Sequence, residues 1–226
     1  MLFEIKRIPF HSLKEFCKEF LMIVLGICTA LGLENMVTTR HHTRAAEESR
    51  QQIVAELQSN LAEVTDSLHE NENEKRAKAL SELADLLKGD ILANVPKAES
   101  NRHMQAFMSQ KAVAIGINWP TLRHEAWDVV VANQTAIYMD PDALRRYSTS
   151  YAQQRDALIS IQGVTSGWGE QIIKALVDLD LQRADPMELL YAVKTYRSGN
   201  VEMLGTLKAL KLQLEASVKG EAKAMR

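Results

Sequence analysis

Residues that break helices are scarce in this chain. Its 226 residues include ten glycines and five prolines, and aromatic residues make up 6% of the sequence. This share of Gly and Pro is about half of that in an average protein, which excludes collagen-like and low-complexity structures. No alternation of apolar and polar residues bounded by turns extends over a useful length either. The sequence therefore predicts an all-α protein.

Cysteine is almost absent as well. The two cysteines, Cys17 and Cys28, both fall in the N-terminal apolar region, and the remaining chain has none. Eleven residues apart on one helix, they would lie about 16 Å from each other. A disulfide needs Cα atoms within about 7 Å, so the two cannot be joined within one chain. A water-facing domain without cysteine suits a reducing cytoplasm and a periplasm equally.

Charge of one sign does not dominate the chain. The formal net charge is -2 at pH 7, and no run of like charges stands out. Domains that bind nucleic acids usually carry a strongly basic face, so no nucleic-acid partner is expected. Hydrophobic residues make up 46% of the sequence, and 226 residues can bury a real core in one or two domains.

One long apolar run lies near the N-terminus. Phe20–Leu33 is fourteen residues without a charge, which as a helix would span only about 21 Å. Extended to Phe16–Val37 the run has 22 residues, enough to cross a hydrocarbon core of about 30 Å. The alternatives are a cleaved signal peptide and a buried core helix. The absence of a clear cleavage site before Cys28 favours a retained transmembrane helix over residues 16–37.

Small residues within this segment suggest a packing face. Gly26 and Ala30 are four residues apart, as are Cys28 and Gly32. Small residues at this spacing let membrane helices approach closely and pair. Because small residues are common in membrane helices anyway, a face without a partner is the competing interpretation.

Charged residues mark both edges of the segment. Lys18 and Glu19 lie at its start and Glu34 near its end. Lys18 can extend along its alkyl stem towards the interface. A carboxylate such as Glu19 is costly at a membrane edge unless it is paired or solvated, and an interfacial position beside a lysine is the simpler explanation.

The basic residues on either side of the segment predict its orientation. Four precede it and three follow it: Lys6, Arg7, Lys14 and Lys18, then Arg40, Arg44 and Arg50. The positive-inside rule therefore places residues 1–15 in the cytoplasm. The bulk of the chain is then periplasmic, on a bacterial inner membrane.

The remaining chain predicts a bundle of about five or six helices over residues 38–220. Apolar residues from Ile53 to Leu68 recur every three or four positions, so we expect the membrane helix to continue outward as far as a bend at 71–73. A second helix should end within 89–96, and a third apolar patch runs from Met104 to Ile115.

Local signals mark the later helix boundaries. Asn118 is a candidate cap for the next helix, and the two Asp-Pro pairs at 140 and 185 suit helix starts. The stretch Gly163–Gly169 reads as the clearest loop in the chain. A final helix from Pro186 should end before a charged tail at residues 221–226.

Patterns that carry catalysis or bind metals are missing. None of the six histidines forms an HExxH motif or pairs with cysteine at zinc-site spacing, and His41 and His42 are interpreted as juxtamembrane polar residues. Ser166 lacks the GxSxG frame of a nucleophile elbow, and no phosphate-loop GK follows the glycines of 163–169. We therefore expect no enzyme activity, no cofactor and no metal.

Short motifs in the chain carry a family resemblance, strongest within the first 60 residues. They are Lys18, Glu19 and Phe20; Leu25, Gly26 and Ile27; Ala30 and Leu31; Arg40; Glu56 and Leu57; Asn60 and Leu61; and more weakly Ala126, Trp127 and Asp128, Asp140 and Pro141, and Tyr151. In these the chain resembles a family of uncharacterised bacterial single-pass membrane proteins with an N-terminal transmembrane helix and a helical domain. Met36 stands where that family often has a tryptophan. The resemblance implies a retained inner-membrane anchor and no particular activity.

Architecture without chemistry points to an interaction role. The leading hypothesis is a membrane-anchored scaffold or interaction protein that contacts lipid, associates with itself and binds a protein partner. The alternative is an extracytoplasmic sensor of a small ligand that works through a partner. An enzyme has the least support. A deep polar pocket with convergent titratable groups would favour the sensor, and an exposed apolar stripe on a solid bundle would favour the scaffold.

Overall fold

A computed structural model describes residues 13–72, 74–111 and 115–224 of the chain, with side chains between Phe16 and Glu221. The described residues form helices and no strands, which confirms the predicted all-α fold with six α-helices. These are α1 (Leu13–Asn71), α2 (Glu74–Leu92), α3 (Lys97–Lys111), α4 (Glu125–Ala132), α5 (Pro141–Asp180) and α6 (Pro186–Ala224), with a 3-10 turn at Thr135–Tyr138 between α4 and α5.

The first helix joins the apolar segment to the bundle without a break. α1 has 59 residues and is therefore about 88 Å long. Its first part is exposed, and its second part buries the predicted apolar stripe, in which Ile53, Leu57 and Val64 are fully enclosed. The helix ends at Asn71, where the bend was predicted; Asn73 lies outside the described residues, as does most of the predicted segment 1–15.

Two hydrophobic clusters fill the bundle, one above the other. α6 runs antiparallel to α5 and also contacts α1, α2 and α3. The cluster closer to the apolar segment, here the near half, joins α1, α4, the start of α5 and the end of α6. The other cluster, here the far half, joins α2, α3, the end of α5 and the start of α6. Ile117 packs against both clusters.

The predicted loop at Gly163–Gly169 is wrong, since these residues lie inside α5. Ile161, Thr165, Trp168 and Ile172 recur at helical spacing and are all buried. Burial of this stripe outweighs the cost of three glycines, each about 1 kcal/mol relative to Ala in a helix. The glycines themselves face open space.

The predicted helix start at Asn118 is also wrong. Residues 115–124 have no regular secondary structure, and α4 begins only at Glu125. Asn118 instead attaches this segment to α1: its backbone N–H donates to Asn71 Oδ1 at 3.0 Å, and its side-chain amide donates to Glu70 at 2.7 Å. Asn118, a residue type that often caps helices, therefore forms a contact between segments that are distant in sequence.

The two Asp-Pro starts are confirmed. The Asp140 carboxylate accepts from the backbone N–H of Ala143 at 2.8 Å. Asp185 accepts from the N–H groups of Met187 and Glu188 at 2.9 and 3.2 Å. Both therefore satisfy backbone donors that have no partner inside their helix.

The predicted charged tail at 221–226 needs correction. α6 continues through Glu221 to Ala224, and Glu221 is 1% exposed. Residues 225–226 lie outside the described residues. The sequence suggested a tail because charged residues cluster there, but the Glu221 side chain finds partners on two other helices.

Candidate membrane anchor and interaction surfaces

The apolar segment is the most exposed apolar part of the described chain. α1 is long and apolar enough to cross a membrane, its best window has a mean hydropathy of 1.9, and none of that window is buried. The core helix of a water-soluble protein would be mostly buried. An uninterrupted apolar surface of this size is unstable in water, so the segment needs a covering.

The predicted packing residues share the open surface of α1. Gly26, Ala30 and Gly32 are exposed, and a methyl group added at either glycine would meet nothing within 4 Å. The Thr29 hydroxyl donates to the carbonyl of Leu25 at 2.6 Å, so this polar group is satisfied within the helix. The surface is free to accept a second helix.

The predicted edge charges lie at opposite ends of the segment. Lys18, Glu19 and Glu34 are all exposed on α1. Lys18 and Glu19 fall within the first turn after Phe16, and Glu34 lies one turn before Val37. Glu34 lies about 22 Å along the helix axis from Glu19, which is shorter than a hydrocarbon core of about 30 Å, so the edge-charge assignment stays a prediction.

A buried carboxylate joins three helices in the near half. Glu221 of α6, whose side chain is 2% exposed, accepts from Arg146 of α5 at 2.6 Å and from Arg50 of α1 at 3.1 Å. Arg50 also donates two hydrogen bonds to Glu47, at 2.8 and 2.9 Å. These residues line one side of an open groove of about 780 Å³, which also contacts Tyr138 and Met139.

The charges of this cluster shift the pKa values of its members. Burial alone would raise the pKa of Glu221, but hydrogen bonds from Arg146 and Arg50 lower it on balance. Hydrogen bonds from Arg50 lower the pKa of Glu47 to about 2. Burial raises the pKa of the adjacent Tyr147 hydroxyl. At neutral pH Glu47 and Glu221 are therefore ionised, Tyr147 is neutral, and the ion pairs of Glu221 with Arg50 and Arg146 join α1, α5 and α6.

A second polar site lies where α4 meets α1. Glu56 accepts from the Tyr151 hydroxyl and from the backbone N–H of Ala126 at 2.9 Å. It therefore supplies the start of α4 with an acceptor from another helix. Trp127 stacks on Tyr151 with ring centroids 5.5 Å apart. The pKa of Tyr151 is raised by its burial and by this carboxylate.

An amide pair completes the attachment of α4. Asn60 is fully buried, and its amide donates to Gln154 Oε1 at 2.7 Å and to the carbonyl of Arg123 at 2.8 Å. The backbone N–H of Arg123 donates back to Asn60 Oδ1 at 2.9 Å. Each of these polar groups is satisfied by another part of the same chain, which indicates a structural role.

The groove beside these residues opens to solvent. It has a volume of about 540 Å³ and is lined in part by Trp127, His124, Asp128 and Arg155. The His124 ring contacts the Asp128 carboxylate at 2.7 Å, and this hydrogen bond raises the pKa of His124. Within the part of the chain that the structure describes, no group of three His, Cys, Asp or Glu side chains could hold a metal ion.

The far half exposes apolar side chains at its tip. Two exposed apolar stripes lie there, and we call them together the far apolar surface: Ile173 and Val177 on α5 with Leu181 directly after it, and Met187 and Tyr191 on α6. Each is between 48% and 64% exposed. Met187 and Tyr191 border a groove of about 410 Å³ whose α5 side is formed by Gln171, Lys174 and Asp178, whereas Ile173 borders a different groove, with Trp119.

Sequence reasoning missed both the Glu221 cluster and the far apolar surface. The cluster leaves no signal in sequence, because Arg50, Arg146 and Glu221 are 75 or more residues apart. The far surface does leave one: Ile173 and Val177 fall one position after Ile172 and Leu176, so α5 is apolar on more than the face it buries.

Comparison with known proteins adds no relative. No family model, curated protein or solved structure matches this chain. The family resemblance drawn from the N-terminal motifs therefore stays a prediction.

Proposed function

We propose that this is a single-pass membrane protein whose helical domain is an interaction module, and that its copies associate with each other. The observation that carries the proposal is the contrast along α1. One stretch of this helix is apolar and wholly exposed, and the next is packed into a bundle. Lipid would cover the first stretch, while the second holds the domain at a fixed distance from the bilayer.

Continuity of α1 supports an anchor that is retained. The helix passes from Phe16 through Asn71 without a break, so removal of a signal peptide would cut through a regular helix that supports the bundle. The slight excess of basic residues before the segment supports a cytoplasmic N-terminus. We place the bundle in the periplasm of a bacterial cell, tethered to the inner membrane.

Two features support self-association. The face of Gly26 and Ala30 lets a second membrane helix approach closely. The far apolar surface offers solvent a group of large apolar side chains, of the kind that marks protein interfaces. An interaction module also fits the two polar sites, because their carboxylates, Glu221 and Glu56, accept hydrogen bonds from other residues of the same chain.

The anchor is tested by extracting membranes with alkaline carbonate, using a chain tagged after Arg226. A protein with a transmembrane helix stays in the membrane pellet, and we expect this result here. Release into the supernatant to the same extent as a peripheral protein would refute the anchor. Protease added to intact spheroplasts should digest the tagged bundle. Protection until lysis would move the bundle to the cytoplasm.

Self-association is tested by sedimentation in a non-ionic detergent. We expect the native chain to sediment as an oligomer and the double variant Val177→Ser, Tyr191→Ser to shift towards the monomer. The control is Ile159→Ser, which alters a residue that is 60% exposed but lies outside the far apolar surface. A native chain that is monomeric in detergent and in bilayers would end this part of the proposal.

A sensor of small ligands is the second candidate, favoured by one observation. The groove of about 540 Å³ beside α4 combines an aromatic wall with cationic and acidic side chains at its rim. Grooves of this size and mixture can bind small polar molecules. If this function is correct, at least one metabolite in a thermal-shift screen should raise the melting temperature of the native chain but not that of the Trp127→Ala variant. A screen without any shift would favour the interaction module alone.

A further inference from the structure

Among the described residues of the bundle, the turn between α4 and α5 lies nearest to the apolar segment. α4 begins beside Glu56, whose carboxylate binds the N–H of Ala126. The chain then runs along α1 towards the apolar segment, reverses in the 3-10 turn Thr135–Tyr138, and runs away from the apolar segment as α5. At the reversal the ring of Tyr138 stacks on the ring of His42, with centroids 3.9 Å apart and planes 8° from parallel.

This stacking fixes the height of the turn relative to the apolar segment. His42 lies five residues beyond Val37, so it is about 7.5 Å further along the helix axis. The headgroup region of a bilayer is about 5–7.5 Å thick on each side of its hydrocarbon core. If residues 16–37 cross the bilayer, the turn therefore lies at the outer edge of the headgroups.

The outer face of the turn is apolar. Ile137 is 70% exposed and Tyr138 is 46% exposed, whereas Ala136 and Met139 face the near-half core. Isoleucine gains free energy when it leaves water, and tyrosine prefers the membrane interface because its ring is apolar and its hydroxyl is polar. The turn has the composition of an interfacial contact.

Charges around the turn give little net attraction to anionic lipids. Arg40 and Arg44 are exposed on the adjacent stretch of α1, and Arg44 is paired with Glu48 at 2.9 Å. Asp140 and Asp142 lie at the start of α5, directly after the turn. The nearly balanced charges favour a shallow contact driven by the apolar side chains rather than a polybasic patch.

We infer that the turn Thr135–Tyr138 is a second membrane contact, in which Ile137 enters the bilayer interface and Tyr138 lies among the headgroups beside His42. The partner is a lipid surface. The inference rests on the proposed anchor and deepens it. A helix alone can rotate and tilt, but two contacts hold the near half against the bilayer and point the far apolar surface away from it.

The experiment compares three isoleucines in the full chain, reconstituted in phosphatidylcholine bilayers. Each is replaced by cysteine on a Cys17→Ser, Cys28→Ser background and labelled with a nitroxide. Ile23 lies in the apolar segment, Ile137 in the turn and Ile159 on the outer face of α5, and all three are at least 60% exposed. Accessibility to oxygen and to a water-soluble nickel complex then reports the depth of each label. Tyr138→Cys gives a second reading from the turn.

The inference expects labels at Ile137 and Tyr138 to lie at interface depth, between the lipid-embedded label at Ile23 and the water-exposed label at Ile159. If Ile23 is in lipid but both turn labels match Ile159, the second contact is refuted while the anchor stands. If Ile23 itself is in water, the anchor fails and the inference fails with it.

Discussion

The near and far halves of the bundle are held together by different means. In the near half, buried polar groups connect distant helices: Glu221 with Arg50 and Arg146, and Asn60 with Gln154. The far half relies mainly on an apolar core: its ion pair between Lys111 and Glu82 lies nearer the surface, and the buried Asp90 contacts a half-exposed His103. The far half also carries the far apolar surface.

This difference suggests that the two halves have different structural roles. Buried hydrogen bonds and ion pairs require one particular arrangement of helices, so they fix geometry even where they add little net stability. An apolar core tolerates adjustment more readily. The near half is therefore suited to be a rigid base at the membrane, and the far half to be the end that meets partners.

The largest expected effect comes from breaking the Glu221 cluster. Glu221→Gln keeps the shape but leaves two guanidinium groups without their carboxylate, so we expect the free energy of unfolding to fall by about 2–3 kcal/mol. The expected decrease in the free energy of unfolding is smaller than is usual for a broken buried ion pair, because the side chains of Arg50 and Arg146 are 21% and 37% exposed. Denaturation in detergent measures it.

The matched control lies on the same helix. Glu215 pairs with Lys219 at 3.7 Å on the surface, so Glu215→Gln should cost less than about 0.5 kcal/mol. Equal effects of the two substitutions would contradict the special role of the buried cluster.

Acid should weaken the near half before the far half. The folded-state pKa of Glu221 is lowered by its hydrogen bonds from Arg146 and Arg50, and Arg50 lowers that of Glu47 to about 2. Below the unfolded-state value of about 4.5 the unfolded chain binds more protons, so this stability is complete above that pH and is lost as pH falls towards the folded pKa values. Hydrogen exchange between pH 5 and about 3 should show protection falling first in the near half. Glu221→Gln should reduce this difference, and uniform loss in both halves would argue against it.

A crowded glycine tests the contact between α5 and α6 in the far half. A methyl group at Gly199 would lie 2.1 Å from the indole nitrogen of Trp168, so Gly199→Ala must displace that ring. Overpacking of this kind costs about 1–3 kcal/mol. Gly205 lies on the same helix with nothing within 4 Å, so Gly205→Ala should instead stabilise the chain. A neutral Gly199→Ala, measured by thermal unfolding, would mean that Trp168 does not pack against α6 at Gly199.

The smallest effect is expected in the glycine-rich stretch of α5. Gly167 faces open space within the helix, so Gly167→Ala should raise the free energy of unfolding by about 0.5–1 kcal/mol through helix propensity alone. Destabilisation would indicate that this stretch has to bend, and would revive the loop interpretation.

Sequence reasoning succeeded where the signal is local. The stripe from Ile53 to Leu68, the bend after Asn71 and the caps at Asp140 and Asp185 each depend on a few neighbouring residues, and each is confirmed. All-α architecture follows from the sum of such signals.

It failed where distant contacts override local preference. The glycines of 163–169 predict a loop, but a buried stripe on the opposite face of α5 keeps the helix intact. Asn118 has the chemistry of a cap but instead attaches the irregular segment 115–124 to Asn71. Glu221 belongs by composition to a charged tail, and only the fold brings Arg50 and Arg146 to it.

The central claim is that the far end, held away from the membrane, is where copies of the chain meet. Cross-linking in bilayers tests it directly, with single cysteines at Tyr191 or Ile159 on a Cys17→Ser, Cys28→Ser background and a short bis-maleimide. The account predicts dimers from the Tyr191→Cys chain and few from the Ile159→Cys chain at the same lipid dilution. Equal cross-linking at both positions, or none at Tyr191, would contradict it.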